Sequence, residues 1–149
     1  MLIRFARIDD AEKIAKNNVA LAIESEGTEI DYETTFEGVK EVIKDEGKGF
    51  YIVADENGEV IGQLMVTYEW SDWKAEMIWW LQSIYVKPEW RRKGVMRAML
   101  KKVLEIGGKR GVKRFRLYVH EKNEGAKKAY ERVGMKKAPY TIYEFTASK

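Results

Sequence analysis

The first thirty residues combine a strand pattern with a helical one. Residues 2–7 are predicted to form a short strand. Asp9 or Asp10 then stands where a helix cap is expected. The apolar positions that follow recur at helical spacing, at Ile14, Ala15, Val19, Ala22 and Ile23. The chain is therefore predicted to open with a strand and an amphipathic helix.

A second helix is predicted after the first. Its apolar positions are Val39, Val42 and Ile43. Thr34 and Glu37 have the spacing of a capping box at its start. Gly47 and Gly49 are placed to end it, since glycine is common just beyond a helix.

The middle of the chain follows a strand pattern. Phe50–Ala54 and Val60–Tyr68 flank Asn57-Gly58, a pair that favours the tight turn of a hairpin. Residues 69–76 are polar and aromatic and are predicted to form a loop. Residues 77–86 are the most apolar stretch, and Pro88 stops it, which predicts a central strand.

The remaining residues alternate helix and strand patterns. A helix is predicted from Gly94 to Gly107-Gly108, a strand over 112–119, and a helix that starts at Asn123 or Glu124 and ends at Gly134. A last strand is predicted around Ile142, Tyr143 and Phe145. The order β-α-α-β-β-β-α-β-α-β predicts an α/β protein with one mixed sheet and helices on its faces.

Composition limits the chemistry that the chain can perform. Its 149 residues are 45% hydrophobic and 34% charged, with no linker or repeat, which predicts a single domain over 1–149. It has no cysteine and one histidine, His120. This excludes disulfides, zinc fingers, cysteine nucleophiles and multi-histidine metal centres, and no metal is expected. Catalysis would have to use carboxylates, tyrosine, lysine, backbone amides or a bound cofactor.

Charge and hydropathy indicate neither nucleic acid nor membrane as a partner. The chain carries 27 basic and 24 acidic residues, and a net charge of +3 is too small to indicate nucleic acid. No apolar run approaches the roughly 20 residues that span a bilayer. Arg4 and Arg7 come too early for the core of a signal peptide. The expected location is cytoplasmic.

A basic loop between the central strand and the next helix is a candidate anion site. The helix start offers free N–H groups and the positive end of a dipole, and Gly94 lets a ligand approach the backbone. Cations surround it, namely Arg91, Arg92, Lys93 and Arg97. The ligand expected there is a diphosphate-bearing cofactor, and the alternative is a solvated charged turn. The triphosphate-binding and dinucleotide-binding glycine motifs are both missing.

Three segments resemble one family. Arg91-Arg92-Lys93-Gly94-Val95-Met96 resembles the acetyl-coenzyme A signature Arg/Gln-x-x-Gly-x-Gly/Ala of the GNAT superfamily of N-acetyltransferases. Met96 departs from it, and its side chain either crowds the pyrophosphate or points into the helix–sheet core. Residues 118–135 resemble the family's strand–Asn–helix–Tyr–Gly block, and residues 3–7 with Asp10 resemble its opening. The resemblance covers nearly the whole chain.

The resemblance implies a fold and a cofactor. The fold is that of the acyl-CoA N-acyltransferases, a central mixed, mainly antiparallel twisted sheet flanked by helices. The cofactor is acetyl-coenzyme A, whose pantetheine arm would pair with the central strand and whose pyrophosphate would bind the amides of the basic loop. The implied cofactor residues are Ile84, Tyr85, Val86, Arg91, Arg92, Lys93, Gly94, Val95, Met96, Arg97, Asn123 and Tyr130.

The resemblance also implies direct attack of an amine on the thioester. Tyr130 is the candidate acid for the departing thiolate, and the freed N–H of Ile84 is the candidate oxyanion donor. Glu69 and Glu76 are the candidate bases, because both flank the loop before the central strand. Each role has a plain alternative: a buried aromatic for Tyr130 and a solvated acidic loop for the glutamates. His120 is either a proton relay or a surface histidine.

Tryptophans and carboxylates cluster near that loop. The candidate acceptor-binding residues are Trp70, Asp72, Trp80 and Gln82. Trp79 and Trp80 must point to opposite faces of the sheet, so that one can be core and the other can face the site. Aromatic rings with carboxylates suit a cationic amine, which predicts a small-molecule or amino-acid-like primary amine as substrate. The alternative is simple core packing.

Other functions remain open at this point. One is a non-catalytic coenzyme A-binding regulatory module of the same fold, and another is a protein N-acetyltransferase. A nucleic-acid binder is disfavoured by the charge balance. The acyl group, the amine and the oligomeric state are not fixed, although aromatic residues near Tyr140 and Tyr143 could form the edge of a homodimer.

Overall fold

Five strands form one sheet in the order β1-β2-β3-β4-β5 in a computed structural model that describes residues 1–147. The strands are β1 Leu2–Phe5, β2 Phe50–Glu56, β3 Glu59–Ser71, β4 Glu76–Val86 and β5 Arg114–Arg116. The helices are α1 Ala11–Glu26, α2 Tyr32–Lys44, α3 Val95–Lys109 and α4 Glu124–Arg132. Two 3₁₀ turns, Ile8–Asp10 and Pro88–Trp90, precede α1 and the basic loop.

The sheet is mixed and mainly antiparallel. Strands β1 to β4 pair antiparallel with their neighbours, and β5 pairs parallel with β4. The parallel pairing follows from topology, because α3 lies between β4 and β5 in the chain and allows a crossover. The predicted fold class, a mixed sheet flanked by helices, is confirmed.

Each face of the sheet carries its own apolar core. On one face α3 packs on the strands, with Ile52, Leu64, Trp79, Leu81, Met99 and Val103 buried together. On the other face α1 and α2 pack on β2 and β3, through Ile14, Ala15, Val39, Tyr51, Val53 and Val60. Trp79 is therefore core, as one of the two adjacent tryptophans was expected to be.

The starts of α1 and α2 differ from the predicted caps. Asp10 occupies the position before α1, but its carboxylate accepts hydrogen bonds from the Arg7 N–H (2.7 Å) and the Arg4 guanidinium (2.8 Å). Asp31 caps α2 by accepting from the Thr34 N–H at 2.9 Å. The capping box predicted from Thr34 to Glu37 is wrong, because α2 begins earlier and Thr34 lies inside its first turn.

The hairpin between β3 and β4 is longer than predicted. Ser71 pairs with Glu76, so the predicted loop over 69–76 narrows to a turn over 72–75.

The end of α3 also differs from the prediction, because Gly107 and Gly108 do not close the helix but lie in its last turn. Gly107 is required there, because a Cβ would lie 2.6 Å from the Phe115 ring.

The strand predictions after α3 are only partly confirmed. The strand predicted over 112–119 forms only over Arg114–Arg116. The strand predicted around residues 142–145 is wrong for this chain taken alone, because those residues pair with no other strand among residues 1–147. Within the same described residues, no helix is long and apolar enough to cross a membrane.

Candidate active site

Strands β4 and β5 pair briefly and then separate. Their register runs from Ile78↔Arg114 to Trp80↔Arg116, where β5 ends, while β4 continues to Val86. Among residues 1–147, no strand pairs with Leu81–Val86 on the side away from β3. Unpaired backbone N–H and C=O groups on a strand can accept an extended ligand as an added strand.

A β-bulge interrupts the pairing of β3 with this part of β4, whose opposite edge is unpaired. Met65 pairs with Gln82 and Gln63 with Tyr85, so that two residues of β4 oppose Leu64 alone. Ser83 takes the positive φ of 50° that this requires. Trp79 and Leu81 before the bulge, and Ile84 and Val86 after it, all contact the α3-side core. The bulge therefore keeps the apolar side chains on one face and sets the direction of the Ile84 backbone.

A buried polar network supports the bulge from the α1 side. Gln63 is fully buried and accepts from Asn17 Nδ2 at 3.1 Å. Gln63 Nε2 donates to Asn18 Oδ1 at 2.7 Å and to the Ser83 carbonyl at 3.4 Å. Burial raises the pKa of Tyr51, whose hydroxyl hydrogen-bonds with Asn18 and Ser83. The strained Ser83 backbone is thus held in place by neutral hydrogen-bonding groups.

The N-terminus of α3 presents free amides beside the gap. The first α3 amide with a helical partner is that of Ala98, which donates to the Gly94 carbonyl at 3.0 Å. The amides of Val95–Arg97 precede it and have no acceptor within the helix. Arg92 and Gly94 have positive φ angles of 63° and 82°, a turn geometry that directs successive N–H groups to one side. Such a geometry is suited to binding an anion.

The cations of the loop have different roles. Arg91 donates to the Val86 carbonyl and to Glu24, each at 2.8 Å, and lies over the Tyr85 ring. These contacts hold the basic loop against the end of β4. Arg92, Lys93 and Arg97 are exposed around the free amides and supply the positive charge there.

An apolar pocket lies between α3, α4 and the unpaired part of β4. Leu81, Ile84 and Leu117 line it together with Met96 and Tyr130. Met96 is partly buried and lines this pocket at the start of α3. Burial raises the pKa of Tyr130 above its usual value of 10, so its hydroxyl is protonated at neutral pH.

Asn123 and His120 lie before α4. Asn123 caps α4 by accepting from the Ala126 N–H at 3.1 Å through Oδ1, which leaves its Nδ2 group as the donor for a ligand. His120 is exposed, and its Nδ1 accepts from the Lys122 N–H at 3.2 Å.

A polar and aromatic surface covers the other face of β3 and β4. Trp80 Nε1 donates to Glu69 at 2.8 Å, and Gln82 Nε2 donates to Thr67 Oγ1 at 2.6 Å. Arg116 of β5 lies 3.8 Å from the Glu69 carboxylate. We call Thr67, Glu69, Trp80, Gln82 and Arg116 the acceptor face.

The structure brings only some of the predicted acceptor residues together. Glu69, Trp80 and Gln82 share the acceptor face, whereas Trp70 points to the opposite face and Asp72 lies exposed in the hairpin turn. Glu76 pairs with Ser71 at the hairpin tip, four residues from Trp80, or about 13 Å along a strand. Glu69 is therefore the better placed of the two candidate bases.

Sequence reasoning missed several residues of the site. Arg116 was not singled out for the acceptor face, although a period of two from Arg114 places it there. Tyr118, whose ring centroid lies 6.0 Å from that of Trp80, was also missed. The Gln63 network gave no signal, since its members are far apart in the chain and become neighbours only in the folded sheet.

Comparison with known proteins decides the family. The sequence model of the Acetyltransferase (GNAT) family matches residues 11–135. The chain belongs to the GNAT family. Its fold agrees over 99% of its length, at a TM-score of 0.91 and 41% identity, with a possible acetyltransferase from Clostridium difficile 630, 98% of which is covered.

Two other comparisons find acetyltransferases, the second of which is similar in fold alone. A thialysine N-epsilon-acetyltransferase from Bos taurus is 36% identical over 75 residues, which are 50% of this chain and 44% of that protein. The chain spans less than half the length of the curated relatives it matches. A predicted acetyltransferase from Clostridium acetobutylicum, solved with acetyl-CoA, shares the fold at 14% identity and a TM-score of 0.78, over 97% of this chain and 95% of that one.

Proposed function

We propose that this GNAT protein transfers an acetyl group from acetyl-CoA to the primary amine of a small, amino-acid-like molecule. One observation carries the proposal: among residues 1–147, Leu81–Val86 has no strand partner on the side away from β3, and it lies beside the start of α3, whose Val95–Arg97 amides have no acceptor within the helix. A strand-like ligand with a diphosphate fits both features at once.

The chain offers suitable partners for each part of acetyl-CoA. The amides of the pantetheine arm would pair with the unpaired backbone of β4, and the Asn123 Nδ2 group would donate to the same arm. The pyrophosphate would lie on the α3 amides, with Arg92, Lys93 and Arg97 balancing its charge. A Cβ at Gly94 would meet nothing within 4 Å, so the loop leaves open space at this point.

In the proposed reaction a C–N bond and an S–H bond form, while the thioester C–S bond and one amine N–H bond break; Glu69 would take the proton that the nitrogen loses. The neutral amine nitrogen attacks the thioester carbon, the C–S bond breaks, and the thiolate leaves with a proton. The Ile84 N–H would stabilise the oxyanion. Tyr130 would protonate the sulfur, which its raised pKa permits because the hydroxyl stays protonated at neutral pH. A preformed thioester needs no nucleophile from the protein, in agreement with the absence of cysteine.

The acceptor face suits a cationic substrate. Glu69 would pair with the ammonium group or take its proton, and the Trp80 ring would contact its carbon chain. Arg116 lies close enough to bind a carboxylate of the same molecule. The relatives named for thialysine acetylation suggest a lysine-like side-chain amine as the first compound to test.

A non-catalytic coenzyme A-binding module is the second candidate. It is favoured by the contacts of Glu69, because Trp80 and Arg116 already engage the carboxylate that would serve as base. Such a module would bind acetyl-CoA through the same backbone groups and release no thiol.

Thiol release with an amine panel distinguishes these functions. The purified chain is incubated with acetyl-CoA and with thialysine, lysine, polyamines, aminoglycosides or a peptide, and thiol is measured over time. We expect release that requires a small amine and saturates with it. Glu69→Gln should slow turnover, while Glu76→Gln, at the hairpin tip, is the matched control. A thermal shift with acetyl-CoA but not with inorganic phosphate, without turnover of any amine, would instead establish the module.

A further inference from the structure

The peptide group between Ser83 and Ile84 is held from the α1 side of the sheet. Gln63 Nε2, on β3, donates to the Ser83 carbonyl at 3.4 Å. In a planar trans peptide the C=O and N–H groups point in opposite directions. The Ile84 N–H therefore points away from Gln63 and β3, toward the gap beside β4 where Ile84 lines the apolar pocket.

The partners of Gln63 fix which end of its amide faces Ser83. Asn17 Nδ2 donates to the Val60 carbonyl at 3.5 Å and to Gln63 Oε1 at 3.1 Å. A flipped Gln63 amide would place one NH₂ group against another, and NH₂ groups only donate. Gln63 Nε2 is thus directed to the Ser83 carbonyl and to Asn18 Oδ1, the latter at 2.7 Å.

The backbone conformation of Ser83 needs this support. Its φ of 50° lies in the left-handed region, which costs a non-glycine residue free energy and persists only where surrounding contacts hold it. Two contacts do so, namely the bond from Gln63 to the Ser83 carbonyl and a hydrogen bond between Ser83 and the Tyr51 hydroxyl. Loss of the Gln63 bond would let Ser83 relax to a negative φ, and this would turn the Ile84 N–H.

We propose that Gln63 is a positioning residue for acetyl transfer, which aims the Ile84 N–H at the thioester by holding the Ser83 carbonyl. This inference rests on the proposed function, in which that N–H stabilises the oxyanion. Gln63 is fully buried on the α1 side, so its effect on acetyl-CoA passes through the backbone alone. A fixed donor acts mainly where negative charge develops, in the transition state, and the effect therefore belongs to kcat.

Steady-state kinetics of Gln63→Met test the positioning role. The variant keeps a side chain of similar size and loses the amide. We expect kcat to fall about 10-fold or more, while KM for acetyl-CoA changes less than about twofold. Val39→Ala is the matched control for lost stability, because Val39 is buried in the core on the same side of the sheet. It should keep its kcat below its unfolding midpoint.

A double variant separates positioning from stability. Glycine adopts a positive φ without strain, so adding Ser83→Gly to Gln63→Met should restore most of the lost kcat. It does not restore the partners of Asn17 and Asn18, so the unfolding midpoint should stay low. An unchanged kcat in Gln63→Met, or a kcat that Ser83→Gly does not restore, would overturn the proposal.

Crystal structures of the variants test the same inference without any activity. Gln63→Asn is the second variant, in case Gln63→Met does not fold, because it keeps an amide but ends one methylene short of Ser83. We expect Ser83 to take a negative φ in each variant. A wild-type chain that acetylates no amine would refute the proposed function, and Ser83 would still turn in the variants. A Ser83 φ that stays near 50° in the variants would overturn the inference, whatever the activity.

Discussion

Tyr130 and Gln63 act on the same stretch of β4 from its two faces. Tyr130 closes the apolar pocket on the α3 side, next to Ile84. Gln63 holds the Ser83 carbonyl on the α1 side, one residue before Ile84. The sequence allowed Tyr130 to be proposed by resemblance, but not Gln63, because its partners Asn17 and Asn18 lie on a different element.

Tyr130→Phe should separate binding from chemistry. The variant keeps the ring in the pocket but loses the proton donor, so kcat should fall by about 100-fold or more while KM for acetyl-CoA changes little. Because burial raises the pKa of Tyr130, the loss of wild-type rate through its deprotonation should begin at a higher pH than for an ordinary tyrosine. Steady-state kinetics across pH check both points. An unchanged kcat would remove Tyr130 from the mechanism.

Gln63→Leu should destabilise the fold more than the small change in side-chain volume alone would predict. The substitution removes the acceptor of the buried Asn17 Nδ2 and the donor to Asn18 Oδ1, which costs about 1–3 kcal/mol. Thermal unfolding should therefore occur several degrees lower. Gln82→Leu, which loses a bond to Thr67 on the partly exposed acceptor face, is the control and should lose less. Equal midpoints for the two variants would contradict the role given to the network.

At the scale of secondary-structure elements, strand pairing and capping contacts determine boundaries that local sequence patterns do not predict. The helices α1, α3 and α4 were predicted from apolar spacing, and the predicted starts of α3 and α4 agree with the structure, whereas α3 runs past the glycines expected to end it. The predicted start of α2 is wrong because Asp31 caps the helix and Thr34 donates its N–H to that cap. The hairpin of β3 and β4 was cut short, because cross-strand pairing orders residues that look like a loop. The 142–145 strand has the right pattern but no partner in its own sheet.

Asp10 joins β1 to the start of α1 through hydrogen bonds, and the free energy of unfolding should therefore fall at low pH. Burial alone would raise its pKa, but hydrogen bonds from Arg4 and from the Arg7 N–H outweigh burial and lower the pKa below 3.8. The stabilisation of the folded state by the ionised Asp10 carboxylate is complete above about pH 3.8 and is lost as the pH falls through the folded-state pKa. Urea unfolding between pH 7 and pH 2 should show this loss. The Asp10→Asn variant should have a lower free energy of unfolding at pH 7, and that free energy should change less with pH. Parallel pH curves for the two proteins would contradict it.

Two adjacent glycines near the end of α3 should respond in opposite directions to alanine. A Cβ at Gly107 would meet the Phe115 ring at 2.6 Å, so Gly107→Ala should destabilise by about 1–3 kcal/mol. A Cβ at Gly108 would meet nothing within 4 Å, so Gly108→Ala should stabilise by up to about 1 kcal/mol through helix propensity. Denaturant unfolding of both variants checks this, and equal shifts would place the α3–β5 contact elsewhere.

For the whole molecule, the sequence was most informative where chemistry depends on backbone. The basic loop, the glycine at the start of α3 and the strand before it were identified as one constellation, and the structure places them side by side. The acceptor face was predicted less well, because it is assembled from β3, β4 and β5 side chains whose register no local pattern gives. Glu69 and Trp80 were named, but their hydrogen bond and the contact with Arg116 emerge only from pairing.

We propose that acetyl-CoA occupies the gap between β4 and β5. Hydrogen–deuterium exchange with and without saturating acetyl-CoA measures this directly, because the proposed partners are backbone amides. Bound acetyl-CoA should slow exchange in Leu81–Val86 and Val95–Arg97 and should change it little in the hairpin turn over 72–75. Saturable binding that protects other segments and leaves these amides unchanged would contradict it.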